Sequence, residues 1–242
     1  MASVVNKVKT NGNGVTTLTT GSVTPGGTDR VCLATLVSYE NHATDAKIGG
    51  SGGTSLTNIL AGSQITFFAV QHSVWALAGS PAGSTTGFAD WGANSQASAV
   101  ALFLFLSGAD QTTPLDTSIT PSADPGSGGG TAVAESVMTG LDPGQLVVAS
   151  LGISAINGVA SVVANNGATN VEDTESAGGG VALGGSWIWG VADGSGNLTL
   201  SVTITEGAPG TLIGWRLAPY PVNNAAGGAA SILLQVMQHG SA

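Results

Sequence analysis

The sequence is poor in charged residues, and above all in basic ones. Charged residues make up 8% of the 242 positions, far below the roughly 25% of ordinary soluble domains. Five Lys and Arg stand against fourteen Asp and Glu, which gives a net charge of −9. Nucleic-acid binding needs clustered cations that displace counterions, and anionic membranes attract basic segments. We therefore expect neither nucleic acid nor a membrane as a partner.

Cysteine and long apolar segments are also scarce. The single Cys32 cannot form an internal disulfide, and its apolar neighbours Val31 and Leu33 predict a buried position. No segment approaches the roughly 18 apolar residues of a membrane helix. The first residues contain no apolar core of the length found in signal peptides. We therefore expect the chain to be made in the cytoplasm.

Short apolar runs between glycine-rich turns dominate what remains. The run 100–106 has no polar side chain, contains Phe103 and Phe105, and leads into a polar turn at Pro114. It is too short for a typical buried helix and predicts a central strand covered on both faces. A second well-covered strand is predicted at 30–39. Further strands are predicted at 45–49, 55–60, 64–71, 73–78, 131–139, 145–153, 181–191, 198–204 and 211–217. The predicted fold is all-β, an antiparallel β-sandwich.

The chain divides into an N-terminal segment, a body and a tail. Residues 1–20 predict a polar arm or an edge hairpin, with an Asn-Gly turn near 12–14. The body covers 21–220, and its Gly/Pro-rich segment 121–130 is either a domain boundary or a long surface loop. Short segments of its first half resemble segments that lie about 110–118 residues later in its second half. A duplication or pseudo-symmetric sheets would produce such a similarity. Residues 221–242 form a Gly/Ala linker and a C-terminal strand.

No catalytic or metal-binding pattern is complete. Ser51 lies in a G-x-S-x-G sequence, but strand-like residues follow it where a nucleophile elbow needs a helix, which favours a glycine-rich turn. The histidines His42, His72 and His239 are far apart and predict no metal site. The segment 193–197 is typical of a hairpin turn. The acidic segment 172–175 is either a solvated loop or a source of calcium ligands. We predict no cofactor and no enzymatic activity.

Two sets of residues are candidates for binding. Contacts with a neighbouring subunit or shell are predicted for two cations of the N-terminal segment and for the apolar residues of the C-terminal strand, which either extends a neighbour's sheet or belongs to the same sandwich. These residues are Lys7, Lys9, Ile232, Leu233, Leu234 and Val236. Trp187 and Trp189 are two apart and share one face of a strand, where they form either a sugar-stacking platform or part of the core.

Four segments carry a resemblance to known proteins. They are 47–50, 73–83, 100–115 and 143–148, which combine short apolar strands with Gly, Pro and Asp turns. Over residues 20–218 the chain resembles jelly-roll-like β-sandwich modules of tailed-phage virion proteins, both capsid decoration and fibre proteins, which also occur in bacterial secreted and surface proteins. The resemblance brings no catalytic residues.

The resemblance implies a non-enzymatic structural protein. It would be synthesised in the host cytoplasm and would act as a decoration or cement protein on the exterior of the capsid. Its partners would be the major capsid protein and further copies of itself, with a trimer favoured. The alternative is a carbohydrate-binding or adhesion module of a fibre or surface protein.

Overall fold

A computed structural model describes residues 1–65, 69–119, 122–124, 131–156, 158–176, 182–206 and 213–225. These residues form seventeen strands and no helix, so the predicted all-β class is confirmed. The strands are β1 (Ser3–Gly12), β2 (Thr17–Thr19), β3 (Val31–Tyr39), β4 (Asp45–Ile48), β5 (Thr54–Ser55), β6 (Thr57–Ile65), β7 (Val70–Ala78), β8 (Gly87–Asp90), β9 (Ala99–Ser107), β10 (Ser122–Asp124), β11 (Thr131–Met138), β12 (Leu146–Ala155), β13 (Val159–Ala164), β14 (Thr169–Ser176), β15 (Ala182–Val191), β16 (Leu198–Glu206) and β17 (Ile213–Pro221).

The strands form four antiparallel sheets. Inner sheet 1 has the strand order β1-β9-β3-β7-β6, and outer sheet 1 has the order β2-β8-β4-β5. Inner sheet 2 has the order β10-β17-β12-β15-β14, and outer sheet 2 has the order β11-β16-β13. Each inner sheet packs against its own outer sheet, and the two inner sheets also pack against each other. The molecule is therefore a stack of four layers built from two β-sandwiches.

The first sandwich explains why 100–106 has no polar side chain. On β9, Phe103 and Phe105 point toward outer sheet 1, while Leu102 and Leu104 point toward inner sheet 2. All four are fully buried. β3 beside it is covered in the same way, and Cys32 is fully buried, which raises the pKa of its thiol. A strand with two dry faces cannot alternate between polar and apolar residues.

The second sandwich repeats this pattern on β12. Leu151 and Ile153 point toward outer sheet 2, and Val148 points toward inner sheet 1. Outer sheet 2 contributes Leu200 and Val202 of β16 to the same core. These side chains alternate along their strands, as a pleated strand requires.

The inner sheets approach each other closely at two glycines. A Cβ atom added to Gly152 would lie 2.7 Å from Cγ of His72, and one added to Gly185 would lie 2.7 Å from Cδ1 of Leu102. Both distances are below any real van der Waals contact, so a larger residue would have to displace His72 at the first position and the Leu102 side chain at the second. Because glycine has no Cβ atom, side chains of the facing sheet can approach the strand backbone at these positions.

The two sandwiches have the same strand order. β1, β9, β3, β7 and β6 correspond in sequence and in position to β10, β17, β12, β15 and β14, and β2, β8 and β4 correspond to β11, β16 and β13. β1 packs against β14 at one side of the stack, and β6 packs against β12 and β17 toward the other. The inner sheets thus face each other in reversed order, the arrangement of an isologous pair. The sequence echoes between 31–34 and 146–149 fall on equivalent strands.

The N-terminal segment belongs to the body. β1 pairs with β9 from Ser3 to Gly12, whereas β2 pairs with β8 in outer sheet 1. The turn near 12–14 therefore carries the chain from one sheet to another, and the hairpin predicted within 1–20 is not formed. At the other end, Val222 is buried and Asn223 donates its backbone N–H to the carbonyl of Pro114. The body thus extends past the predicted boundary at 220.

Two further differences from the sequence prediction concern strands and turns. β8, β10, β13 and β14 lie in regions without predicted strands, because the first two are short and alanine and polar residues hide the alternation of the other two. The segment 193–197 is a tight turn in which Asp193 Oδ1 accepts backbone N–H groups of Ser195 and Asn197 at 2.8 and 2.9 Å. It joins β15 to β16, which lie in different sheets, so the predicted hairpin is instead a corner between layers.

Candidate functional site

A shallow pocket lies where β1 meets β15. Its volume is about 300 Å³, and it is lined by Val4, Val5, Asn6, Lys7 and Trp189. The register of β1 against β9 shifts between Val4 and Asn6, which marks a β-bulge. Val4 packs against the cluster between the inner sheets, whereas the extra residue Val5 packs, like Val8, against the core of the first sandwich. Bulges of this kind re-aim side chains at the rims of sheets.

Lys7 and Trp189 are in contact at this pocket. The Lys7 ammonium lies 5.1 Å from the centroid of the Trp189 ring, within the range of a cation–π interaction. Lys7 is exposed and Trp189 is half-buried, and Lys9 is exposed two residues further along β1. The sequence places Lys7 and Trp189 in two separate hypotheses. The packing of β1 on inner sheet 2 makes them one site.

Trp187 is not part of any surface platform. It is fully buried between the inner sheets, and its Nε1 donates a hydrogen bond to the carbonyl of Leu102 at 3.1 Å. Trp187 and Trp189 share a face of β15, but that face is turned toward inner sheet 1. The hypothesis of a two-tryptophan platform is therefore wrong, and only Trp189 reaches the surface.

The outward face of outer sheet 2 carries little charge and combines exposed valines with hydroxyl side chains, of which Ser201 and Thr203 are hydrogen-bonded to Asn165. Val133, Val137 and Val163 on this face are 52%, 66% and 54% exposed. Val133 and Val163 both pair with Thr203 of β16, so a Val-Thr-Val row crosses all three strands. Among the described side chains of this face, Glu135 is the single charged one. Of the five exposed large apolar side chains among the described residues, three lie on this one face, which marks it as a candidate contact surface.

The outward face of outer sheet 1 has different chemistry. Lys47 forms an ion pair with Asp45 at 3.3 Å and lies 6.0 Å above the ring of Phe88. Ser55 donates a hydrogen bond to Asp45 at 3.1 Å. Asp90 adds a further carboxylate at the edge of this face. This is an ordinary polar surface.

A buried polar cluster joins the inner sheets at their centre. His72 Nε2 and Ser150 Oγ are 2.7 Å apart, and the Ser150 hydroxyl is also hydrogen-bonded to Thr35. His72 Nδ1 has no hydrogen-bond partner among the described residues. Burial, with a smaller contribution from the positive charge of Arg216, lowers the pKa of His72 to about 3. A serine beside a neutral histidine has the spacing of a nucleophile and its base. Both are fully buried, so the pair is sealed from solvent.

The remaining sequence motifs occupy ordinary places. Ser51 is exposed in the turn 49–53 between β4 and β5, as predicted, with strands on both sides of it. His42 is exposed and far from the buried His72. Within the described ranges, no three His, Cys, Asp or Glu residues converge as a metal site would require. The acidic segment 172–175 lies on the edge strand β14 rather than in a loop.

The predicted contacts of the C-terminal strand are at Ile232, Leu233, Leu234 and Val236. These four residues, like His239, lie outside the described residues. In the part of the chain that the structure describes, no helix is long and apolar enough to cross a membrane.

Comparison of the chain with protein-family models, with curated proteins and with solved structures finds no match. The geometry of its surfaces therefore carries the functional argument.

Proposed function

We propose that this chain is a non-enzymatic structural protein of a tailed-phage virion, a decoration protein on the exterior of the capsid. The observation that carries the proposal is the contrast between the outward faces of the two outer sheets. Outer sheet 2 presents exposed valine and threonine where the equivalent outer sheet 1 presents an ion pair and carboxylates. A face with little charge suits docking on a protein shell, because few charged groups lose water there.

The overall architecture also supports this proposal. The strand orders β1-β9-β3-β7 and β2-β8-β4-β5 support the proposal of a jelly roll, a fold of eight strands in two sheets that occurs in viral capsid proteins. The second sandwich has the equivalent order with one strand fewer in its outer sheet. Since a fold does not define a function, the docking face carries the argument and the fold adds to it.

The proposed partner is the major capsid protein, and the proposed oligomer is a homotrimer. A shell offers many local threefold positions, on which three copies can seat with equivalent contacts. Deleting residues 226–242 tests the tail's part in assembly, since it leaves the described contacts of Asn223 and Asn224 in place. If the truncated protein keeps the mass of a trimer and binds shells as before, the tail has no part in assembly.

The docking face is tested with two matched double variants. V133K/V137K adds two charges to outer sheet 2, and T17K/T19K adds the same two charges to outer sheet 1. Retention is measured by co-sedimentation with empty shells of the capsid protein encoded near this gene. We expect V133K/V137K to weaken retention at least about tenfold, because lysine at a docked face loses its hydration without a partner.

The control variant T17K/T19K should change retention less than about twofold, and both variants should be as stable as the parent, since exposed substitutions change stability by about 0.5 kcal/mol or less. Equal retention of the two variants would reject outer sheet 2 as the docking face. If the parent does not bind the shells, or no capsid gene lies nearby, the proposed function is wrong.

A further inference from the structure

We infer that the pocket between β1 and β15 binds a pyranose sugar. Sugar binding would be a second activity of the protein, in addition to its proposed role on the shell. The pocket is on the flank of the stack, away from the outward face of outer sheet 2, so both surfaces can be occupied at once. Its volume of about 300 Å³ is at the lower end of small-molecule sites and matches a single sugar unit rather than a large cofactor.

The walls of the pocket have the mixed character of a sugar site. Trp189 supplies a half-buried aromatic ring, against which the C–H groups of a pyranose ring can stack. Lys7 supplies an ammonium group for its hydroxyls. The Asn6 side chain already accepts from the Lys7 backbone N–H at 2.8 Å and donates to the Thr24 carbonyl at 3.4 Å, so it retains one amide N–H for a ligand. Val4 and Val5 close the side of the pocket, and the bulge at these residues leaves one residue of the edge strand outside the regular ladder.

The position of Lys7 decides between classes of ligand. Its ammonium already lies 5.1 Å from the Trp189 ring centroid, so a quaternary ammonium ligand would meet a like charge on the same ring. A neutral or acidic sugar meets no such charge, and the Lys7 ammonium can turn from the ring to a hydroxyl or carboxylate. The cation–π contact that is lost is weak at an exposed site.

The experiment is a titration of the isotope-labelled full chain, followed through the indole N–H resonance of Trp189. The probes are the methyl glycosides of glucose, galactose and mannose, and free glucuronate, each up to about 50 mM, well above the millimolar Kd of a weak site. We expect at least one probe to shift this resonance in a saturable manner. Glucuronate carries a carboxylate that the three glycosides lack, so a comparison of their affinities tests whether the Lys7 ammonium binds an acidic sugar through its charge.

Four variants make the result specific. Trp189→Ala should abolish binding measured by saturation-transfer NMR, and Lys7→Ala should weaken it at least about threefold. The matched control is Lys47→Ala, which removes another lysine that lies over an aromatic ring and should leave binding unchanged. Trp189→Phe tests whether Trp189→Ala loses binding only because it misfolds. Phenylalanine keeps a smaller stacking surface, so this variant should bind more weakly than the parent without losing stability.

No saturable shift with any of the four probes would overturn the inference, as would equal binding by the parent and Trp189→Ala. Retention of Trp189→Ala on shells is measured alongside and should equal that of the parent. Failure of the sugar site and failure of the docking face therefore give different results.

Discussion

Outer sheet 1 and outer sheet 2 occupy equivalent places in two sandwiches of the same strand order, yet their outward faces differ. Outer sheet 1 carries the Asp45–Lys47 ion pair, and outer sheet 2 carries the exposed Val133, Val137 and Val163. Their inward faces are alike, because both must fill a dry space against an inner sheet. Packing thus constrains the inward faces of both sheets, while the outward faces are free to differ.

The largest expected effect tests the shared inward side of this comparison. Phe103→Ala should destabilise the protein by about 3–5 kcal/mol, because a fully buried ring is replaced by a cavity. Val137→Ala on the outward face of outer sheet 2 should cost no more than about 0.5 kcal/mol. Urea unfolding followed by circular dichroism measures both. A loss below about 1 kcal/mol for Phe103→Ala would mean that the first sandwich is not packed around β9.

The second prediction concerns the contact between the two sandwiches. In the unfolded chain His72 titrates near its usual pKa of 6.5, and in the folded protein burial lowers its pKa to about 3. Between these values the unfolded state binds the extra proton, so stability falls as the pH falls from 6.5 toward 3. The slope increases from about 0.7 kcal/mol per pH unit at pH 6.5 toward about 1.4 kcal/mol per pH unit at lower pH, where the unfolded His72 is fully protonated.

Urea unfolding at pH 6.5 and 5, above most of the titration of carboxylates, measures this slope. His72→Gln has no imidazole and should have a flatter dependence of stability on pH in the same range, even if it is less stable throughout. If parent and variant have equal slopes, His72 is not buried in its neutral form.

A third, smaller effect tests the close approach of the inner sheets. Gly185→Ala places a methyl group against Leu102 and should cost about 1–3 kcal/mol, the usual cost of overpacking. The matched control is Gly21→Ala, where an added Cβ meets no atom within 4 Å. Thermal unfolding of the two variants should differ clearly. Equal melting temperatures would show that the inner sheets can separate without cost.

The smallest effect concerns the charged face of outer sheet 1. Asp45→Asn removes the carboxylate that forms the ion pair with Lys47. Both side chains of this pair are partly exposed. Pairs of this kind contribute about 0.2–1 kcal/mol, and the effect should shrink further in high salt. Thermal unfolding at low and high salt measures it. A loss above about 2 kcal/mol would show that this face is as tightly constrained as the core.

The sequence predicted best where burial leaves a pattern. The apolar run around Phe103 and Phe105, the covered strand around Cys32 and the glycine turn at Ser51 were all recognisable, because each depends on residues close together in the chain. β13 and β14 were not predicted, since alanine and polar residues at the edge of a sheet produce little alternation. The echo between the halves was visible, and its meaning as two sandwiches of equal strand order required the pairing of strands.

By itself the sequence determined the class of this protein: the scarcity of charge, the short apolar runs and the abundant turns permit strands and exclude long helices. The tertiary structure alone decided which tryptophan is fully buried and which reaches the surface. Trp187 and Trp189 have the same local pattern, and only the overlap of the two inner sheets covers one and leaves the other beside Lys7. Such contacts join residues far apart in the chain, and local propensity contains no information about them.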